Sequence, residues 1–217
     1  MSKLVELVTA WDKFNREHAE QSVEQFCRHY LARQQAPQPE TKQDRKQKTG
    51  GLLKLMGRIT SAFALYHRAA MTQTALPNAE SFYYLNGLNF LGEARKTELI
   101  NYLFAEYTTG MEAIGKLIEA EYITEKPDPT DKRAKLIKLT KKGLKQLHES
   151  YSYSSKAGEM IFDDVSSDTI MLCQALLKPI EERHTKLLPS LKNKDFDAMY
   201  HQVTGKKIKE GKAQKDD

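Results

Sequence analysis

The chain has 217 residues, of which 40% are hydrophobic and 29% are charged, and its formal net charge is +5 at pH 7. This length suits one domain, or two small domains that share a core. The mild basicity permits an anionic partner such as nucleic acid without requiring one. No stretch approaches the roughly 18 uninterrupted apolar residues of a membrane span, so we expect no membrane association.

The residue types that mark catalytic and metal sites are scattered. The six histidines show no HxxxH or HExxH spacing, and nothing groups a nucleophile with a base, so we predict no enzyme, metal or cofactor. The first residues lack a signal-peptide core, which predicts a cytoplasmic protein. Cys27 and Cys173 lack CxxC spacing, and we predict that both are reduced and buried. The alternative is a redox-sensing thiol.

The first 50 residues are predicted to be helical and then flexible. Apolar residues from Leu4 to Phe14 recur at helical spacing, and Ser22 to Gln25 resembles a capping box. Residues 1–34 are therefore predicted to be an N-terminal helical extension, either one broken helix or two short ones. Residues 35–50 are polar and contain two prolines, which predicts a flexible linker.

Four more helices are predicted before residue 121. An apolar stripe that begins at Leu52 and ends at Ala70 indicates a long helix within a segment at 51–76. A helix starting at Pro77 follows, then a short helix over 97–104 that Thr97 is expected to cap. After a tight turn, residues 108–120 are predicted to form a further helix.

The next part of the chain is predicted to be a charged hairpin. Residues 122–126 and 134–139 change towards a period of two, as strands do, and residues 129–132 form the tip. Thr140 is expected to cap one helix, and Ser166 or Ser167 a last long one, so that residues 147–190 should be C-terminal helices. Residues 205–217 are predicted to be a disordered basic tail.

This order of elements predicts a winged helix-turn-helix over residues 77–146. In a short helix, a turn and a second helix, the second helix can enter the major groove of DNA. The hairpin that follows would reach the neighbouring DNA backbone. Residues 122–146 hold eight lysines and arginines and three acids, a surplus of +5. A hairpin with this surplus favours phosphate contacts.

The segment DPTDKRAKLIKLTKKG, residues 128–143, resembles the wing signature of the MarR family of bacterial transcription regulators. The match lies at Asp128, Asp131, Arg133 and the Leu-Thr-x-x-Gly that ends at Gly143. The resemblance implies a mainly α (α+β) fold with a winged helix-turn-helix lobe between long N- and C-terminal dimerisation helices. It also implies a homodimer that binds double-stranded DNA, usually as a repressor.

The resemblance assigns roles to residues of the reading helix and the wing. The DNA-binding residues would be Thr108, Thr109, Glu112, Ala113, Lys116, Lys126, Lys132, Arg133 and Lys135. Aromatic residues in the two helices that flank the family's effector cleft suggest a pocket for a small aromatic effector, formed by Phe63, Tyr66, His67, Tyr83 and Tyr84. Core or dimer packing is the alternative role for these five.

The reading helix departs from the family pattern in its charge. Residues 106–121 hold four acids and one lysine, a balance of −3, and Glu121 stands where the family usually has glycine. Carboxylates are repelled by phosphate, although one can accept from cytosine N4. The alternative is therefore a winged-helix protein-interaction module in which DNA binding is altered or lost.

Overall fold

The computed structural model describes residues 2–18, 22–34, 41–131 and 133–208. Within these ranges the chain has nine helices and three strands, and it divides into two compact units, residues 1–58 and 59–217. The helices are α1 (Lys3–Glu17), α2 (Val23–Gln34), α3 (Lys42–Met71), α4 (Ser81–Leu91), α5 (Lys96–Tyr102), α6 (Tyr107–Glu119), α7 (Lys141–Phe162), α8 (Ser167–Leu191) and α9 (Phe196–Thr204). The strands are β1 (Glu93–Arg95), β2 (Ile123–Pro127) and β3 (Lys135–Leu139).

The first unit contains two short helices that pack through aromatic rings. Trp11 of α1 lies edge-on to Phe26 of α2, with ring centroids 4.9 Å apart. Ser22 forms the capping box that its sequence indicated: its N–H donates to Gln25 Oε1 at 2.7 Å, and its Oγ accepts from the Gln25 N–H at 3.2 Å. Of the two predicted alternatives, one broken helix or two short helices, the structure has two short helices.

The predicted linker over 35–50 is wrong where the structure describes it. Residues 42–50 are the first turns of α3, because Thr41 and Asp44 cap that helix reciprocally, with N–H to side-chain oxygen distances of 2.9 and 3.1 Å. Good helix formers follow, and Gly50 and Gly51 weaken a helix without ending it. The division between the two units falls inside α3, after Arg58. Residues 35–40 lie outside the described ranges.

The core of the second unit lies between the helices of the predicted winged helix-turn-helix and its sheet. The side chains that are fully buried include Leu85 and Leu88 of α4, Leu99 and Ile100 of α5, Ile114 and Leu117 of α6, Ile137 of β3 and Leu147 of α7. The α6 members recur at helical spacing, which turns one face of this helix inward and leaves the other in solvent.

The sheet is antiparallel with the strand order β1-β3-β2. The hairpin of β2 and β3 was predicted, and in it Ile123 pairs with Leu139, while β1 pairs Ala94 with Ile137. We did not predict β1, because three residues are too few for a periodic signal. It also displaces the start of α5, which Arg95 rather than Thr97 precedes: the Arg95 N–H donates to Glu98 Oε2 at 2.7 Å.

The helices after the hairpin begin at their predicted caps. Thr140 Oγ1 accepts from the Gly143 N–H at 2.9 Å, and Ser166 Oγ accepts from the Thr169 N–H at 3.2 Å. Helix α9 was not predicted, and Gly205 ends it with a φ of 70°. The predicted tail falls mostly at residues 209–217, outside the described part of the chain.

Two expectations about the whole chain can be compared with the structure. Cys27 and Cys173 are both exposed, so the prediction that they are buried is wrong. Each lies on the solvent-facing side of a helix, and the sequence pattern alone did not separate that side from the buried one. None of the helices among the described residues has the length and hydropathy to cross a membrane.

Candidate nucleic-acid interface

Helices α5 and α6 form a helix-turn-helix whose crossing depends on a glycine. A Cβ placed on Gly110 would lie 2.6 Å from Cγ1 of Ile100, so a larger residue would push the two helices apart. The turn between them is tight, with the Ala105 N–H donating to the Ile100 carbonyl at 3.0 Å. Phe104 takes a positive φ of 53° there. These contacts fix the angle at which α6 presents its outer face.

The outer face of α6 carries four of the five residues predicted for it. Thr108, Thr109, Glu112 and Lys116 are exposed, as a role in the major groove requires. Ala113 is 8% exposed and belongs to the core, so its assignment to this face is wrong. The reason is its spacing, because residue 113 falls on the same side of the helix as Gly110 and Leu117, which face α5 and the core.

The charges on α6 are arranged in local pairs. Glu112 Oε1 lies 2.7 Å from Lys116 Nζ, one turn along the helix. Glu106 caps the helix, its Oε2 accepting from the Thr109 N–H at 2.8 Å. Hydrogen bonds from the Thr109 and Thr108 backbone lower the pKa of Glu106, so this carboxylate stays charged at the positive end of the helix dipole.

The wing is anchored to the start of α5 by Arg95. Its guanidinium donates to Asp128 Oδ2 from Nε at 3.0 Å and from Nη2 at 2.7 Å, and Asp131 Oδ2 lies 3.6 Å away. Thr130 binds the other Asp128 oxygen through its Oγ1 and its N–H. Hydrogen bonds from Thr130, and then from Arg95, lower the pKa of Asp128 to about 2. The tip of the wing is thus tied to the helix-turn-helix.

The predicted wing residues differ in their surroundings. Arg133 is exposed, and within the described ranges its guanidinium has no ion-pair partner. Its backbone N–H donates to Asp131 Oδ1 at 3.0 Å. Lys126 and Lys135 are also at the surface, but each is paired with a carboxylate. Lys132 lies outside the described residues.

Carboxylates neutralise much of the cationic charge on the hairpin. Glu93 of β1 lies 2.5 Å from Lys126 Nζ and 3.9 Å from Lys138 Nζ, and Glu125 lies 2.6 Å from Lys96 Nζ and 2.9 Å from Lys135 Nζ. Glu121 pairs with Lys142 at 3.0 Å. Phosphates would therefore compete with these carboxylates for the same lysines, although exposed pairs of this kind are weak.

Three of the five proposed effector residues, Phe63, His67 and Tyr83, form an aromatic cluster at the contact of α3 and α4. The His67 ring is 2% exposed and lies 5.4 Å from Phe63 and 4.9 Å from Tyr83, between ring centroids. Tyr66 is half-buried, and Tyr84 is a core residue. His67 Nε2 has no hydrogen-bond partner among the described residues, and burial lowers the pKa of this ring. Packing accounts for Tyr84, while Tyr83 is 39% exposed.

Comparison with known proteins supports the architecture. Residues 85–143 match the family model of the winged helix DNA-binding domain. That range contains the helix-turn-helix, the wing and Thr140 with its capped Gly143. The matched model describes a DNA-binding domain rather than a catalytic one. No curated protein sequence matches this chain.

Solved structures give the same fold over a longer range. MarR from E. coli in its apo form is 18% identical, with a TM-score of 0.54 over 59% of this chain and 95% of that protein. A MarR transcriptional regulator from Methanosarcina mazei Go1 is 21% identical, with a TM-score of 0.58 over 64% and 99% of the two chains. The fold is that of the MarR regulators. A mutant of E. coli MarR complexed with operator DNA superposes equally well, with 18% identity, a TM-score of 0.55 and coverage of 60% and 93%.

Within this MarR fold, sequence reasoning missed Arg95 and Glu93. Both lie on β1, and both bind hairpin residues more than 30 positions later in the chain. The alternation Glu-Ala-Arg before α5 was the available signal, with a small apolar residue between two charged ones. Three residues of alternation are too common to single out. Among the described residues there is no cluster of three potential metal ligands.

Proposed function

We propose that this chain is a DNA-binding transcription regulator that acts as a homodimer, with repression as its mode of action. The observation that carries the proposal is the exposed face of α6, held by α5 beside a charged wing within the matched domain. Helix α6 would enter the major groove while Arg133 and Lys132 reach the flanking backbone. Action on chromosomal DNA goes with a location in the cytoplasm.

The homodimer is supported by apolar side chains that a single chain leaves in solvent. On α8 these are Met171, Leu172, Leu176 and Ile180, each between 40% and 58% exposed. On α3 they include Leu52, Leu55, Met56 and Ile59, each between 41% and 61% exposed. Exposed apolar side chains that form a continuous face of a helix mark interaction surfaces. Two-fold dimers bind half-sites about one helical turn apart, roughly 34 Å.

Salt-dependent binding to duplex DNA tests the proposal. The full chain is titrated by fluorescence anisotropy against duplexes selected from a random pool, at several salt concentrations. We expect saturable binding that weakens steeply with salt, because each neutralised phosphate releases counterions. Arg133→Gln should weaken binding and reduce the salt slope by about 1. Lys178→Gln on α8 removes one charge outside the proposed DNA-binding surface and should leave the salt slope unchanged.

We also propose that a small aromatic effector modulates DNA affinity through the cluster around Tyr83. A ligand shifts the equilibrium between two conformational states of the protein, here states of different DNA affinity, only if it binds one of them more tightly than the other. The operator affinity is therefore measured with and without a phenolic acid, for the natural chain and for Tyr83→Ala. A change in affinity that the variant loses supports the pocket, and an unchanged affinity in the natural chain contradicts it.

The charge pairing on the interface favours a second candidate function, that of a protein-interaction module. Four acids between residues 106 and 121 and the paired lysines of the wing leave little uncompensated positive charge for phosphate. Such a module would bind a basic protein surface through α6. Two results together would favour this function over DNA binding: the full chain binds no duplex from the random pool, and it captures a cationic peptide in a salt-sensitive way.

A further inference from the structure

The centre of the outward α6 face is an ion pair rather than a basic patch. Glu112 and Lys116 are one turn apart, and their side chains are 65% and 49% exposed although Oε1 and Nζ lie 2.7 Å apart. Thr108 and Thr109 precede the pair, and Glu119 follows it. Whatever occupies this face meets an acceptor and a donor side by side.

Both members of the pair keep hydrogen-bonding capacity for a ligand. The hydrogen bond from Lys116 lowers the pKa of Glu112, so at neutral pH the carboxylate is ionised and accepts only. The bond to Lys116 uses Oε1, which leaves Oε2 available. The ammonium has three N–H donors, of which the contact with Glu112 uses one.

A C·G base pair presents the complementary arrangement in the major groove. Cytosine N4 is a donor and guanine O6 is an acceptor, and the hydrogen bond that joins them is about 2.9–3.0 Å long. An acceptor and a donor that are 2.7 Å apart in the protein match this spacing. Successive base pairs are stacked about 3.4 Å apart along the duplex. The spacing of Glu112 and Lys116 therefore fits the two bases of one base pair at least as well as two stacked base pairs.

The other base pairs fit less well. In an A·T pair the donor N6 lies beside the acceptor N7, which repels a carboxylate, whereas cytosine offers no acceptor next to N4 in this groove. On the cation's side, guanine supplies both O6 and N7, whereas thymine supplies O4 alone, next to a methyl group. Both differences favour C·G.

We infer that Glu112 and Lys116 act as one unit that reads a C·G pair in each half-site, with Glu112 accepting from cytosine N4 and Lys116 donating to guanine O6 and N7. This inference rests on the proposed DNA-binding function and names a base that the operator must contain. It also gives the acidic reading helix a function in base selection, since the carboxylate is neutralised by its neighbour before it approaches phosphate.

The test combines selection from a random duplex pool with titration of the full-length chain. We expect the selected half-sites to share a C·G pair at a fixed distance from the dyad. Replacing this pair by T·A should weaken binding about tenfold or more, in the range of one good base contact. E112Q should move the preference to A·T at the same position, because a glutamine amide pairs with adenine N6 and N7.

Glu119→Gln is the matched control, since it removes the same charge from the same helix outside the pair. It should keep the C·G preference, and circular dichroism would verify that both variants fold. Should E112Q retain the natural preference, the base assignment is wrong although DNA binding stands. Should the natural chain bind no duplex from the pool, the proposed function itself has failed.

Discussion

At the end of α6, Glu121 occupies a backbone conformation that suits glycine, with a φ of 62°. An L-residue in this left-handed region brings its Cβ close to the following carbonyl oxygen, which costs roughly 1–2 kcal/mol. The side chain offsets part of this cost through its contact with Lys142 at 3.0 Å. An exposed ion pair of this kind contributes about 0–1 kcal/mol.

Glu121→Gly should therefore stabilise the chain by up to about 1 kcal/mol, because relief of strain outweighs the loss of an exposed ion pair. Urea unfolding monitored by circular dichroism measures the change. Ala120→Gly is the matched control, since residue 120 has an ordinary φ of −74°, so this change relieves no strain and only adds flexibility and removes a partly buried methyl group. It should destabilise by about 0.5–1 kcal/mol. A Glu121→Gly variant that loses stability like the control would contradict the strain at this site.

His67 is a second residue whose environment predicts a measurable effect. Burial lowers its pKa, and its Nε2 has no partner in the aromatic cluster. The unfolded chain therefore binds a proton more readily than the folded chain as the pH falls below the ordinary value of about 6.5. The free energy of unfolding should fall over that range, since stability rises with pH wherever the unfolded state holds more protons.

Urea midpoints at pH 7.5 and pH 5.5 test this expectation. His67→Phe fits among Phe63, Phe82 and Tyr83 and cannot be protonated, so the loss of stability at pH 5.5 should be smaller than in the natural chain. His184→Phe, at an exposed position of α8, should leave the loss unchanged. Equal pH dependence in the His67 variant and the natural chain would mean that other groups dominate.

At the scale of elements, the wing depends on one arginine from outside it. Arg95 binds Asp128, which is 5% exposed, and Thr130 holds the second oxygen of that carboxylate. Arg95→Gln would leave the buried carboxylate without its cation. We expect faster amide hydrogen exchange at Asp128, Thr130 and Arg133, with unchanged exchange in α4.

The ionisation of Asp128 gives this prediction a second measurement. Its pKa of about 2 should rise towards the ordinary value of 3.8 in the Arg95 variant, while the hydrogen bonds from Thr130 keep part of the shift. In the natural chain the stabilising contribution of Asp128 is present above the unfolded pKa, and it is lost as the pH falls through about 2. Arg133→Gln is the control and should alter neither exchange nor titration. An Asp128 pKa unchanged by Arg95→Gln would disprove the anchoring role.

An element could be predicted from the sequence when the residues that form it are close together along the chain. The hairpin, α6 and the caps at Ser22, Thr140 and Ser166 rest on local spacing, and sequence reasoning located them. Strand β1 pairs with residues 41 to 45 positions later, and Arg95 contacts Asp128 33 positions later. Local patterns do not encode contacts of this range. Ala113 was misplaced for a related reason, because only the packing of α5 on α6 decides where the exposed face ends.

At the scale of the whole molecule, α8 carries an apolar face that is solvated in a single chain. Leu172, Leu176 and Ile180 recur every four residues and are 40–52% exposed. At about 25 cal/mol per Å² of apolar surface removed from water, covering such a face supplies a large driving force for association. The homodimer proposed above would bury this uncovered face, so we predict that it forms through α8.

Replacing Ile180 by glutamate should therefore convert the proposed dimer into a monomer, because dimerisation would bury an unpaired carboxylate in an apolar contact. Sedimentation velocity at micromolar concentration measures the change. Phe90→Glu is the control, since Phe90 is 75% exposed on α4 and lies outside the predicted interface, so this variant should remain dimeric. DNA binding should weaken with dissociation, because one reading helix reaches one half-site only. An Ile180→Glu chain that sediments as a dimer would exclude this face of α8 as the interface.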